Sequence, residues 1–360
     1  MRDAMTDTQP AVEVRGLAKH YGPVRALDGV DLTIQAGEYF VLLGPSGGGK
    51  TTLLRTIGGF HRPTAGQVLL HGQDVSGLPP EQRPTGMVFQ QYALFPHMTV
   101  ERNVGYGLSL QKRPKAEIRD KVSAMLDQVG LSGLGGRKPH ELSGGQQQRV
   151  QLARALVLDR DILLLDEPLA ALDAQLRKDM CLELKHLQEQ VGVTFIHVTH
   201  NQEEAMTVAN RIALIADGKL VEEGTARQIY EAPDKRFTAS FVGENNLIDC
   251  TVVGTSEGAA TVDFGSGQLD IATDTRVSQG ASATISVRSE MVSVGSKDDP
   301  GLPARFVESV YLGLTTSHRL RLANGTEVVS RVVSSADHPL EPGTPVTVSW
   351  PPSAARLHID

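Results

Sequence analysis

The sequence predicts an α/β fold on a parallel sheet followed by a small all-β domain, and three observations carry that prediction. Short apolar runs suited to buried strands, at Tyr39–Leu43, Ile162–Leu165 and Thr194–Thr199, alternate with stretches of helical periodicity. Strands that are apolar throughout, each followed by a turn and a helix, imply a parallel sheet covered on both faces. After about Gly243 the helical periodicity vanishes, and short Val/Thr/Ile-rich segments alternate with Gly, Ser, Asp and Pro, which is the pattern of a small barrel or sandwich. A chain of 360 residues can hold two such domains, each with its own core, and the change of character divides it into 11–243 and 244–360.

Taken in order, Val12 to Ile34 alternates apolar and polar residues around turns, as antiparallel strands do. Tyr39–Leu43 runs straight into a glycine-rich turn, and the pattern from Lys50 to Ile57 is helical. Thr99 to Leu134 reads mostly as helix, with Ile118, Val122, Met125, Leu126 and Val129 apolar. Ile162–Leu165 ends in two acids, and a helix follows with Leu176, Met180, Leu184, Leu187 and Val191 along one face. Thr194–Thr199 then ends at His200. Strands of the tail are expected at Cys250–Val253, Thr284–Val287, His318–Leu322 and Val346–Trp350.

The composition is that of a soluble globular protein, with 40% hydrophobic and 21% charged residues. Lys and Arg number 35 against 42 Asp and Glu, a formal charge of −7, which argues against a general nucleic-acid binder. Cys181 and Cys250, the two cysteines, read as small core residues of a protein in a reducing cytoplasm. The first ten residues lack the apolar stretch of a signal peptide. No apolar run approaches the roughly 18 residues of a membrane helix, so any work at a membrane would pass through a partner that spans it.

Gly44 to Thr51 reads GPSGGGKT and matches the phosphate-loop pattern between a buried strand and a helix. In such a loop, running from Gly44 through Pro45 and Ser46 to Gly47, Gly48 and Gly49, the glycines let successive backbone N–H groups turn inward around phosphates at a helix N-terminus. Lys50 would pair with the β- and γ-phosphates, and the Thr51 hydroxyl would ligate Mg²⁺. Asp166 and Glu167 end the ILLLDEP run at the strand edge where such sheets bind ligands. Asp166 would hold the metal through water, and Glu167 would orient and deprotonate an attacking water. His200 closes FIHVTH on the same edge and can reach the γ-phosphate, whereas His197 reads as structural.

LSGGQ, Leu142 to Gln146, lies between the phosphate loop and the Asp-Glu pair. With it the chain resembles the ABC ATPases, over a span from about Lys19 to His200. The resemblance implies a RecA-like core with antiparallel-β and helical subdomains. It implies that Tyr21 in KHYG stacks on adenine, that Thr52 joins Lys50 and Thr51 at the nucleotide, and that Gln90 touches Mg²⁺ and senses a membrane subunit. Ala170 to Asp173 (AALD) matches the loop across the seam between two subunits, where the family often has serine at the position of Ala170. Ser143, Gly144, Gly145 and Gln146 would bind the γ-phosphate held by a second copy, giving a head-to-tail dimer around two ATP molecules.

The single nucleotide domain and β-rich tail further resemble the importer ATPases of binding-protein-dependent uptake, which sit at the cytoplasmic face of the membrane. That resemblance implies two membrane permease subunits as partners and, indirectly, an extracytoplasmic solute-binding protein. Ala93 to Val104 would line the groove for a permease helix, although Leu94, Phe95 and Val100 also suit a core. The tail is similar to an OB-like (TOBE) domain, including SVRSE at Ser286 to Glu290, with Ser289 where proline is usual. FVGENNL (Phe241 to Leu247) and Tyr311 to Gly325 look more like the polyamine-type than the sugar-type branch. Ferric iron, opines, aminophosphonates or sugars are the alternative cargoes. A soluble ABC-fold ATPase would carry coiled-coil insertions or a second nucleotide domain, an exporter would lack the extended tail, and a tail acting as a regulatory binding module is compatible with transport.

Overall fold

The computed structural model describes residues 9–90, 93–273, 277–334 and 340–359. The first eight residues, on which part of the signal-peptide reading rests, and Gln91 and Tyr92 beside Gln90 lie outside the described residues. The chain splits into two compact units, Met1–Ala226 and Arg227–Asp360.

The first unit runs β1 (Val12–Tyr21), β2 (Val24–Ile34), β3 (Tyr39–Leu43), α1 (Lys50–Ile57), β4 (Ala65–Leu70), β5 (Gln73–Asp74) and β6 (Thr85–Val88). It continues with α2 (Val100–Leu110), α3 (Lys115–Gln128), α4 (Gly144–Leu156), β7 (Ile162–Asp166) and α5 (Ala174–Val191). β8 (Thr194–Val198), α6 (Gln202–Val208), β9 (Arg211–Ala216) and β10 (Lys219–Gly224) complete it. An antiparallel sheet has the order β2-β1-β4-β5, and a second sheet the order β10-β9-β3-β8-β7-β6. In the second sheet β6, β7, β8, β3 and β9 are mutually parallel, and β10 returns antiparallel beside β9. The β9–β10 turn, Asp217-Gly218, has φ of 49° and 75°, the two left-handed residues of a type I′ hairpin.

Every residue of β3, β7 and β8 is buried, which is why these strands read as unbroken apolar runs. Between the two sheets α1 contributes Leu53, Leu54 and Ile57 to a core shared with Leu17, Leu27, Ile34, Phe40, Leu164 and Ile196. A separate helical core joins Val100, Val104 and Leu108 of α2, Val122 and Leu126 of α3, and Val150 and Ala153 of α4. Register places Val88 beside Leu165 and Asp166 beside Val198. The carboxyl ends of β6, β7 and β8 are therefore level with one another, next to the turn that leaves β3.

The second unit opens with two short helices, α7 (Ala226–Glu231) and α8 (Arg236–Phe241). Strands follow as β11 (Asn245–Ser256), β12 (Ala259–Asp263), β13 (Gln268–Ala272), β14 (Ser282–Arg288) and β15 (Ser293–Ser296). The remainder are β16 (Leu302–Tyr311), β17 (Thr315–Leu322), β18 (Glu327–Val333), β19 (Pro345–Ser349) and β20 (Ala355–His358). Two antiparallel five-stranded sheets, β13-β12-β11-β14-β20 and β15-β19-β16-β17-β18, enclose one core containing Ile248, Ile285, Leu320, Val348 and Trp350. Asn246 stitches them together: its amide donates to Val329 O at 2.8 Å and its carbonyl accepts from Val329 N at 2.7 Å. Ser289, where the family usually has proline, is fully buried and its hydroxyl donates to Glu244 at 2.8 Å. Composition draws the domain division at 243/244, while packing assigns α7 from Arg227 onward, and α8, to the β unit.

Candidate active site

The turn from β3 to α1 is shaped by backbone alone. Gly44, Gly47 and Gly49 have φ of 149°, 79° and 106°, a region closed to most side chains. A Cβ on Gly44 would lie 2.0 Å from Ile215 O, and one on Gly48 would lie 2.8 Å from the same oxygen. The loop therefore rests directly on the end of β9, and only glycine fits. Ser46 and Gly47 form its exposed tip, and Gly48 O accepts from Gly218 N at 3.0 Å. Lys50 is buried, 5% exposed, and its ammonium donates to Gly44 O and Pro45 O at 2.8 Å each. Burial pushes the Lys50 pKa down and the Glu167 carboxylate opposes that shift. An anion in the loop would favour the charged form further.

In the first turn of α1, the Thr51 hydroxyl donates to Asp166 Oδ1 at 3.1 Å, and one turn further Arg55 reaches Asp166 Oδ2 at 3.2 Å. Thr52, the next residue, is half-buried and its carbonyl accepts from the Thr56 hydroxyl. Hard oxygen donors, a hydroxyl with a carboxylate behind it, suit Mg²⁺, which keeps several waters and leans on phosphates. Among the described residues no group of three or more His, Cys, Asp or Glu is placed to hold a metal, so such an ion would depend on this hydroxyl, the Gln90 amide oxygen, water and substrate oxygens.

Glu167 has φ of 47°, a left-handed conformation rare for a non-glycine residue and one that concentrates at functional sites. Its N–H donates to Val198 O at 3.0 Å, which anchors the kink to β8. Its two carboxylate oxygens have separate partners: Gln90 Nε2 donates to Oε2 at 3.0 Å, and His200 Nδ1 lies 3.3 Å from Oε1. Three residues more than thirty positions apart thus meet on the carboxyl edge of the sheet. His197, on β8 three residues before His200, faces the interior, fully buried, 3.0 Å from the Tyr39 hydroxyl. The expectation that it is structural agrees with this placement.

Tyr21 ends β1 with 45% of its surface exposed. Lys19 Nζ stands 4.9 Å from its ring centroid and His61 packs edge-on. Ser143 caps α4: its hydroxyl accepts from Gln146 N, and the Gln146 side chain accepts from Ser143 N at 3.0 Å. Gly144 and Gly145 belong to the first turn of α4. Asp173 caps α5 by accepting from Leu176 N at 3.0 Å. Signature and seam-loop residues thus make their capping bonds locally, within their own helix ends.

Sequence reading missed the braces. Buried Gln151 on α4 donates to Phe89 O at 2.8 Å, and Arg154 donates to Ala93 O at 2.8 Å, so α4 holds both flanks of Gln90. Asn103, fully buried, bonds both the N–H and the carbonyl of Phe95. The only hint was three polar residues at positions whose helical spacing points inward. In the Ala93 to Val104 segment, Val100 is core, while Phe95 is half-buried against Tyr106. A groove of about 830 Å³ between α2 and α3 opens beside it, lined by Met98, Glu101, Tyr106, Ile118 and Arg119. Cys181 and Cys250 are free and buried, and burial pushes their pKa values up to about 12 and about 11.

Residues 27–170 match the family model described as ABC transporter, and residues 285–357 match the TOBE domain. The spermidine/putrescine import ATP-binding protein PotA of Ruegeria pomeroyi is 45% identical over 355 residues, covering 97% of each chain. The protein of the same name from Thermobifida fusca is 46% identical, covering 95% of this chain and 92% of its own. Among solved structures, cbiO1 of Clostridium perfringens, part of the ABC transporter complex cbiONQ, has a TM-score of 0.58 and 29% identity, covering 61% of this chain and 90% of its own. The ATP-binding cassette MJ0796, a dimer in a post-hydrolysis state bound to ADP and Pi, has a TM-score of 0.53 and 35% identity, covering 60% of this chain and 99% of its own.

Proposed function

The chain belongs to the ABC transporter family, and on that premise we propose that it is the ATP-hydrolysing subunit of a polyamine importer. The observation that carries the enzymatic half is Glu167, held between Gln90 at 3.0 Å and His200 at 3.3 Å beside the phosphate loop. The cargo half rests on full-length similarity to proteins named for spermidine and putrescine import.

In this reading Tyr21 stacks on adenine, and the N–H groups of Gly44 and of Ser46 to Thr52 surround the phosphates. Lys50 exchanges its two carbonyl partners for β- and γ-phosphate oxygens. Thr51 and Gln90, with Asp166 through water, would hold Mg²⁺, which would supply charge neutralisation on the phosphates. Glu167 accepts the proton of the attacking water while Gln90 and His200 fix its two oxygens. The first N–H groups of a helix have no acceptor within it. At α4 the capping box uses those of Ser143 and Gln146, leaving the glycines to meet the γ-phosphate of a second copy. Asp173 lies on the same seam, and MJ0796 supplies the precedent of a dimeric cassette. The groove between α2 and α3 receives a helix of a permease subunit, and Gln90 reports its arrival. The permeases span the membrane, and an extracytoplasmic binding protein delivers cargo to them. Among the described residues no helix of this chain is long and apolar enough to do so. The nucleotide domain is proposed as 11–243 and the OB-like domain as 244–360.

The test is uptake of labelled putrescine and spermidine by cells carrying either the native chain or Glu167→Gln, with the purified variant sized in MgATP. Loss of uptake, turnover reduced by about 10²-fold or more, and an ATP-dependent dimer are expected. Retained hydrolysis would overturn the role of Glu167, and normal polyamine uptake with the variant expressed would overturn the cargo.

A further inference from the structure

Behind the Glu167–His200 pair lies a polar chain that the hydrolysis scheme does not use. Glu204, in the first turn of α6, is 5% exposed. Its Oε2 accepts from the Thr199 hydroxyl at 2.6 Å, and the Thr199 oxygen in turn accepts from Asn201 N at 2.9 Å. These two bonds grip the backbone on both sides of His200. The other carboxylate oxygen, Oε1, lies 3.5 Å from Arg177 Nε on α5. Arg177 continues the chain by donating Nη2 to Leu172 O at 2.7 Å. Leu172 belongs to the Ala170–Asp173 loop, whose Ala170 N donates back to Glu167 O at 3.2 Å. These polar contacts, joined through the backbone between His200 and Thr199 and between Leu172 and Ala170, close a ring: Glu167, His200, Thr199, Glu204, Arg177, Leu172, Ala170 and back to Glu167. A cavity of about 50 Å³ sits inside the ring, lined by Glu167, His200, Glu204 and Arg177, room for one or two waters.

A buried carboxylate is costly unless its bonds are made. One that joins a loop backbone to an active-site strand end resists displacement of either. We propose that Glu204, with Arg177, is a positioning residue that locks the Ala170–Asp173 loop to His200, so that the seat of that loop sets the alignment of Glu167 for hydrolysis. The inference rests on the roles given above to Glu167 and His200. It adds a route by which the subunit seam acts on the chemistry without touching nucleotide. On balance burial raises the pKa of Glu204, while the Thr199 bond and Arg177 oppose the rise.

The test uses the full chain with Glu204→Gln, Arg177→Met and the double variant, beside Glu167→Gln. Gln keeps an acceptor for Thr199 and turns an amide toward Arg177. Each single variant should lower kcat about tenfold and leave KM and MgATP affinity within about twofold, since no nucleotide contact changes. The double variant should lose no more than the worse single, because both break one chain. Without nucleotide, amide exchange over 168–173 and 199–205 should quicken while β3 stays protected. A kcat within twofold of native in either single, losses that multiply to about 100-fold, or a loss residing wholly in KM would overturn the proposal. If Glu204→Gln does not fold, Arg177→Met, whose side chain is partly exposed, decides alone. Retained activity in Glu167→Gln would instead sink the underlying site assignment, so the two failures are distinguishable.

Discussion

His197 should make the nucleotide domain acid-sensitive by a calculable amount. The imidazole is fully buried on β8 between Val41 and Leu165, and its Nδ1 is 3.0 Å from the Tyr39 hydroxyl. Burial pushes its pKa down to about 3, against about 6.5 in an unfolded chain. Glu204 stands 3.7 Å from Nε2, but burial also pushes that carboxyl toward its neutral form, so it offers little compensation. Between these two pKa values the unfolded chain binds a proton that the folded chain refuses. Stability is therefore complete above pH 6.5, declines as pH falls, and the loss saturates below about pH 3. At about 1.4 kcal/mol per pH unit, moving to pH 5 removes about 2 kcal/mol. Since pH 5 is well above the folded value, the unfolded pKa alone sets this figure. His197→Asn keeps an amide near the Tyr39 hydroxyl and does not titrate. Urea unfolding by circular dichroism at pH 7.5 and pH 5 should show the native chain losing about 2 kcal/mol more than the variant. Trp350, the single tryptophan and part of the second unit's core, follows that unit separately. Equal losses in the two chains would refute the reasoning.

Two further outcomes follow from packing. Gly48→Ala places a Cβ 2.8 Å from Ile215 O and 3.1 Å from Pro45 O; both are backbone atoms, so the loop must shift and ATP affinity measured by calorimetry should fall at least about tenfold. Unchanged affinity would contradict the close fit of the loop to β9. Arg288→Met removes the donor to Tyr230 O and Val242 O and the guanidinium 4.1 Å from the Tyr230 ring centroid. The β unit should lose about 3 kcal/mol, read from Trp350 fluorescence during unfolding, and a loss below about 1 kcal/mol would show those carbonyls find other donors.

Local rules sufficed wherever the signal is local. Tyr39–Leu43 and Lys50–Ile57 fall where apolar runs and helical spacing put them, because a strand buried on both faces cannot hide its composition. The phosphate loop was legible because its glycines answer a backbone requirement that no other residue meets. The tail strands were located in part: β11 extends over Asn245–Ser256, well beyond Cys250–Val253, since its ends carry Asn, Gly, Thr and Ser, residues that local reading assigns to turns. Fully buried Arg83, donating to Thr56 O and Ile57 O at 2.8 Å each, gave no local sign, because its partners are at the far end of α1.

By itself the sequence determined the buried strands β3, β7 and β8, the helices α1 and α5 that follow β3 and β7, the phosphate loop, the acids at the end of β7 and the family signature. Each depends on residue type at short spacing along the chain. Only the tertiary structure decided which polar groups meet. That Glu167 is shared by Gln90 and His200, that α4 braces the flanks of Gln90, and that Glu204 ties Leu172 to Thr199 through Arg177 all require parallel strands in register. Hydrogen bonds between residues far apart in sequence leave no period or pattern in it; they exist because the sheet brings the carboxyl ends of β6, β7 and β8 to one level.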